Sequence, residues 1–173
     1  GRSGGFLPIT GEGGHVGFAP ETELQVELLK VLRRRFERVS AERLVAGSGL
    51  ENIYSALLEM QGEEGTLTAR EIFAAAVQPG AAADAVSLFF EILGQVAGDL
   101  ALTLGANDGV YIAGGIAKRY PDILADGTFR AAFESKGRHR HIMERIPTIL
   151  ITHEQPGLLG AAYVAQELAA GLD

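Results

Sequence analysis

The run AAADAVSLFFEILGQVAGDLALTLG, from Ala81 to Gly105, is the longest unbroken pattern in the chain. Its polar markers Asp84, Glu91, Gln95 and Asp99 fall near one narrow stripe, and nearly everything else is Ala, Val, Leu, Ile or Phe. A helix with so little polar surface is mostly buried. At 1.5 Å per residue it extends about 37 Å, long enough to be the spine of a core. Gly105 is placed to end it as a C-cap.

Downstream, Val110-Tyr111-Ile112-Ala113 reads as a short buried strand. Gly114-Gly115 closes it, and Ile116 opens a helical stretch that Pro121 interrupts. A strand, two glycines and a helix leave backbone amides open where a phosphate or an adenine can approach. Phe129, Ala132 and Phe133 indicate a short helix. Lys136 to His141 is a basic run, read either as solvated surface or as a source of anion attraction. His139 and His141 have no carboxylate within two residues and are not taken as metal ligands. Pro147 to Thr152 reads as a last strand. Leu158 to Leu168 reads as a last helix, with Gly157, Gly160, Ala161 and Ala162 allowing close packing on a sheet.

Upstream of the spine, Thr22 followed by Gln25 has the form of a capping box, and Leu24, Leu28, Val31, Leu32 and Phe36 recur at helical spacing. Arg33, Arg34, Arg35 and Arg38 cluster there, as a solvated helix face or as a phosphate or partner contact. Residues 43–46 read as a strand and Gly47 to Gly49 as the turn into a helix carrying Leu50, Ile53, Tyr54, Leu57 and Leu58. Asn107-Asp108 reads as a turn. Thr68 with Glu71 is a second capping box. An extended piece is expected near Phe6 to Ile9. Strands alternating with helices point to an α/β layered domain.

The 173 residues suffice for one domain with a real core. A net charge of −7 disfavours a general nucleic-acid role, while a phosphorylated ligand needs only a local positive field. With no cysteine, disulfides and thiolate metal sites are excluded. The start, Gly1-Arg2-Ser3-Gly4-Gly5, has no apolar signal-peptide core, and no uncharged apolar run approaches the ~20 residues of a bilayer span. The expectation is a soluble chain that does not engage a membrane. Gly1 is not Met, so a fragment, a processed chain or a tagged one is expected.

Gly11-Glu12-Gly13-Gly14-His15-Val16-Gly17-Phe18-Ala19-Pro20 carries the chemistry. Gly13-Gly14 disfavours a helix and favours a tight turn, so Glu12 and His15 can face one cleft. A carboxylate accepts and an imidazole donates or accepts, which suits the hydroxyls of a small polar molecule. The plain alternative for each is an exposed carboxylate and a structural histidine.

This stretch resembles the sugar-binding loop of bacterial glucokinases, in the actin-like ATPase and hexokinase superfamily. Ser40-Ala41-Glu42-Arg43-Leu44, Gly47-Ser48-Gly49-Leu50, Ile112-Ala113-Gly114-Gly115-Ile116 and Pro156-Gly157-Leu158-Leu159-Gly160-Ala161 are similar to later blocks of that family, in the same order. The missing cysteines separate the chain from the related repressor and sugar-kinase family, which typically carries a cysteine-based zinc site. The resemblance implies the large domain of the ribonuclease H-like fold, a single domain over 1–173 corresponding to the C-terminal portion, with the small N-terminal domain absent. It implies ATP-dependent, Mg²⁺-assisted phosphorylation of glucose in the cytoplasm by the full-length protein, and a homodimer. It places Glu12, His15 and Glu42 on glucose hydroxyls, and Gly47, Gly49, Gly114 and Gly115 beside the nucleotide. The family's phosphate loop and its Asn-Asp base are not found, so no catalytic residue is assigned and the chain alone is expected to be inactive. A non-catalytic sugar sensor, or a kinase for another hexose, is the alternative.

Overall fold

The structure, a computed structural model, describes Ile9 and residues 11–170, the side chain of Glu167 excepted. The extended piece expected near Phe6 therefore lies outside the described residues, apart from Ile9, which is exposed.

Ten helices and two strands follow one another among the described residues: α1 (Glu23–Arg33), α2 (Glu42–Val45), α3 (Gly47–Met60), α4 (Ala69–Ala75), α5 (Ala81–Leu104), β1 (Val110–Ile112), α6 (Gly115–Arg119), α7 (Pro121–Leu124), α8 (Thr128–Glu134), α9 (Arg140–Met143), β2 (Thr148–Leu150) and α10 (Pro156–Ala170). Gly13–His15 and Gly137–His139 are single 3-10 turns. The strands pair in parallel, Val110 opposite Thr148 and Ile112 opposite Leu150. Helices dominate, and the sheet is much smaller than alternating strands and helices would give.

The helix caps follow from local chemistry. Thr68 and Glu71 form the reciprocal capping box, with the Thr68 amide donating to the Glu71 carboxylate at 2.8 Å. At α1 the box is displaced. Thr22 Oγ1 accepts from the Gln25 amide at 3.2 Å, but the Gln25 side chain takes the amide of Glu21 instead, at 2.8 Å. Gly105 caps α5 in the left-handed region.

α5 is the spine. By length and composition it could cross a membrane, yet 61% of its apolar window is buried inside the protein. Its first part joins Leu28, Leu32, Leu50, Ile53 and Ile72 around Phe89, Phe90 and Ile92. Its last part, through Ala97 and Ala101, joins Ile112, Phe129, Phe133, Met143 and Ile146 in a second cluster. α8 crosses α5 so closely that a Cβ on Gly94 would overlap the Phe129 carbonyl, and one on Gly98 would lie 2.6 Å from that of Phe133.

Three expectations are corrected. Residues 43–46 are not a strand. Glu42, Arg43 and Leu44 are good helix formers and make α2, which Ala46 breaks at φ −94° and ψ 174° before α3 begins at Gly47. β1 is only half buried, because Tyr111 faces solvent while Ile112 faces the core. α10 does not pack its small residues on the sheet. Nothing lies within 4 Å of a Cβ built on Gly157 or Gly160, and Leu158, Leu159, Val164 and Leu168 are exposed. Its apolar residues are spread round the helix, so no single stripe can seat it.

Candidate functional site

The first cleft is made by two short segments held together by backbone. The His15 amide donates to the Glu12 carbonyl at 2.9 Å and closes the turn. The Phe18 amide then donates to Val39 at 3.1 Å, and the Ala41 amide to Val16 at 2.9 Å, around an antiparallel bridge between Gly17 and Ser40. α2 starts at once with Glu42. The bridge thus fixes two residues distant in sequence so that His15 Nδ1 lies 2.8 Å from Glu42 Oε2. A carboxylate only accepts, so Nδ1 is the donor and Nε2 remains for a ligand. The two side chains are 60% and 54% exposed, and a pair so solvated contributes only about 0–1 kcal/mol to stability.

Behind this pair the loop is braced. Arg38 donates to the His15 carbonyl at 2.6 Å. The buried Gln95 side chain donates to the Ala19 carbonyl. Lys136, 5% exposed, bridges Glu21 and Asp99 at 2.9 Å each, so the first cation of the basic run is engaged in structure. Arg34 and Arg35 both hold Glu59, tying α1 to α3 and keeping that carboxylate below its ordinary range. Arg140 pairs with Glu144 and Glu134.

The resulting cavity, about 400 Å³, is lined by His15, Arg38, Ser40, Glu42, Arg43, Ala46 and Ser48. Its size suits a small molecule, and its lining offers hydroxyls, guanidiniums, an imidazole and a carboxylate. Glu12 is exposed and is not part of that lining. Of the three proposed hydroxyl contacts, His15 and Glu42 come together and Glu12 stands one 3-10 turn away. Arg38, Ser40, Arg43 and Ser48 escaped the sequence reading as cleft residues, although Ser40 and Arg43 flank Glu42 and Ser48 lies between the two quoted glycines.

The second cleft is built from backbone. Gly114 has φ +134°, a conformation costly for any other residue, and it lets the chain turn from β1 into α6. Ala46, Gly47, Leu93, Ile112, Gly114 and Gly115 border a cavity of about 180 Å³. It adjoins another of about 340 Å³ lined by Gly47, Ala69, Arg70, Phe73, Gly115, Ile116, Arg119 and Tyr120. A Cβ at Gly47, Gly114 or Gly115 would meet open space, so each presents bare backbone to the cavity. Gly49 does not border it. A Cβ there would overlap the Leu44 backbone, so this glycine permits α2 and α3 to touch. Ala46 lines both the polar cleft and the glycine cleft, and the N-terminus of α3, without a side-chain cap, stands between them.

Among the described residues no group of three or more His, Cys, Asp or Glu is placed to hold a metal ion.

Comparison with known proteins gives a family. The glucokinase family model matches residues 2–168. The chain is 48% identical over 162 residues to a glucokinase of Colwellia psychrerythraea, covering 89% of this chain and 49% of that one. It is 45% identical to a glucokinase of Caulobacter sp. strain K31, covering 93% and 50%. Among solved structures, a glucokinase from an Antarctic psychrotroph superposes with a TM-score of 0.83 at 33% identity, covering 89% of this chain and 49% of that chain. A glucokinase of Balamuthia mandrillaris, in complex with glucose, shares the fold at a TM-score of 0.75 and 23% identity, covering 88% and 45%. The chain thus spans about half the length of the relatives it matches. On the family match and these identities, the chain belongs to the glucokinase family.

Proposed function

We propose that the chain is the large-domain, C-terminal portion of an ATP-dependent glucokinase of the ribonuclease H-like fold, acting as a cytoplasmic homodimer. The observation that carries this reading is the shared wall. The polar cleft at His15 and Glu42 and the glycine cleft at Gly47, Gly114 and Gly115 meet at Ala46 and the start of α3. Phosphoryl transfer needs its two substrates held side by side, because proximity and charge stabilisation supply most of the catalysis.

In this reading His15 and Glu42 hold glucose hydroxyls, with Glu12 at the rim as a third contact. The Glu42 carboxylate accepts from a hydroxyl while keeping His15 in one tautomer, and His15 Nε2 accepts from a second. Such a site rejects a sugar lacking either hydroxyl, since a desolvated polar group would then be stranded. Gly47, Gly114 and Gly115 offer bare backbone to the nucleotide, and Gly49 shapes the wall from behind. A γ-phosphoryl group passes to a glucose hydroxyl, giving glucose 6-phosphate and ADP, and that hydroxyl's proton goes to a base outside the residues assigned here. The 173-residue chain alone has negligible activity.

Calorimetry of the intact natural polypeptide with glucose tests the hydroxyl assignment. Glu42→Gln should weaken binding roughly tenfold or more, the worth of one hydrogen bond to a charged group. Unchanged affinity removes Glu42 from the site. Glucose binding by the intact polypeptide without ATP-dependent turnover identifies a sensor and overturns the kinase reading.

A further inference from the structure

Two walls of unequal firmness face each other across the polar cleft. The wall that carries Glu42 is anchored by packing: Val39 and Ala41 are buried, while Arg38, Ser40 and Glu42 line the cavity. The wall that carries His15 has no such anchor. Its 3-10 turn, Gly13–His15, contains no buried residue and no side-chain cap, and the Val16 amide lies 3.4 Å from the Gly13 carbonyl. Two of its three residues are glycines, which lose the most conformational freedom when they are fixed. The exposed contact between His15 and Glu42 is too weak to order such a turn alone.

Arg38 supplies the tie. Its Nη1 donates to the His15 carbonyl at 2.6 Å, across 23 residues of sequence. The last carbonyls of a helical turn lack partners within it, and a charged donor binds one about twice as strongly as a neutral donor. The same bond keeps the guanidinium off the carboxylate. His15 holds Glu42, and among the described residues Arg38 makes no ion pair although it lines the same cavity. Arg43, the other arginine of the cleft, lies over the Phe36 ring. A fork from either arginine would occupy both carboxylate oxygens. With both tied elsewhere, Glu42 keeps an oxygen for a ligand.

We infer that Arg38 is a positioning residue of the polar cleft. It fixes the turn bearing His15 against the segment bearing Glu42, so that imidazole and carboxylate meet a hexose already paired. The inference rests on the sugar reading of this cleft and adds what sets its geometry. Ordering the turn beforehand removes that cost from the binding step and so strengthens binding. Arg38 lines neither of the two glycine-cleft cavities, so its effect is confined to the sugar side.

The experiment is glucose calorimetry and steady-state kinetics on the intact natural polypeptide, for wild type, Arg38→Met, Arg38→Lys, His15→Ala and the double variant of Arg38→Met with His15→Ala. Arg38 is exposed and holds no carboxylate, so its variants should fold as wild type, which circular dichroism checks. Arg38→Met keeps the stem and removes the donor. It should raise the glucose Kd and KM roughly tenfold, with the KM for ATP within about twofold of wild type. Arg38→Lys keeps a charged donor and should be weakened only about threefold. His15→Ala should itself weaken glucose binding roughly tenfold or more. Adding Arg38→Met to it should cost less than about threefold further, because the side chain that Arg38 steadies is gone. Glucose affinity in Arg38→Met equal to wild type overturns the inference while leaving the sugar cleft standing. A full further loss in the double variant also overturns it, because Arg38 would then touch the sugar itself. Equal rises in KM for glucose and for ATP overturn it in favour of a general structural role. Unchanged glucose binding in His15→Ala defeats the sugar reading of the cleft, and the inference with it.

Discussion

The two clefts that meet at Ala46 are made of opposite materials. The cleft at His15 is a set of polar side chains delivered by segments too short to hold themselves, braced by a two-residue bridge, by Arg38, and by Gln95 and Lys136 from behind. The cleft at Gly114 is mostly shape, with bare backbone, an aromatic stack and apolar walls. In the first, function is in the atoms presented. In the second, it is in the atoms left out. Substitutions should therefore damage them differently: subtraction harms the polar cleft, and addition harms the glycine cleft.

The wall common to both is the most sensitive place. Gly49→Val drives a branched side chain into the Leu44 backbone at the α2–α3 contact. Overpacking of this kind costs about 3 kcal/mol, which in a domain of this size lowers Tm by roughly 6–12 °C. Thermal denaturation followed by circular dichroism measures it. The loss should weaken both ligands together. A Gly49→Val protein that melts like wild type would mean that the two helices part easily and that the clefts are not mechanically joined.

Gly114→Ala is gentler and more selective. No atom blocks the new methyl, so the penalty is the positive φ alone, about 1–3 kcal/mol. The methyl also enters the glycine cleft. ADP affinity should fall while glucose affinity stays within twofold of wild type, as calorimetry on the intact polypeptide can record. Equal losses for both ligands would erase the distinction between the clefts.

The smallest effect concerns acid. Hydrogen bonds from Thr68 hold the Glu71 carboxyl below its ordinary range, at the start of the helix that carries Arg70 and Phe73. A carboxyl whose pKa is lower in the folded state stabilises fully above its unfolded value, and the benefit disappears as pH falls through the folded one. Acidification below the ordinary carboxylate range should therefore fray α4 and weaken ADP binding slightly. Glu71→Gln should abolish that pH dependence, as parallel titrations near pH 4 and pH 7 would show.

The sequence was clearest where a signal was local. The α5 periodicity, the Thr68–Glu71 box, the Gly105 cap and the helix break at Pro121 each depend on residues a few positions apart, and each stands in the structure. Residues 43–46 misled because an apolar triplet before glycines has the same outline whether extended or helical, and the buried Leu44 decides for one turn of helix. The sheet register was not legible, since each strand is three residues long and its partner is far along the chain. Nor was the pairing of His15 with Glu42 readable from spacing. Family resemblance named both residues, but only the bridge at Gly17 and Ser40 brings them together.

α5 passes through both apolar clusters without interruption. Its buried members of the first cluster end at Ile92 and those of the second begin at Ala97, while partly buried Leu93 packs against both, so one continuous rod supports both clefts. An insertion that shifted this rod by a single residue would rotate Gln95 and Asp99 away from their partners by about 100°. Both ligand-facing surfaces are thereby committed to one register along one axis.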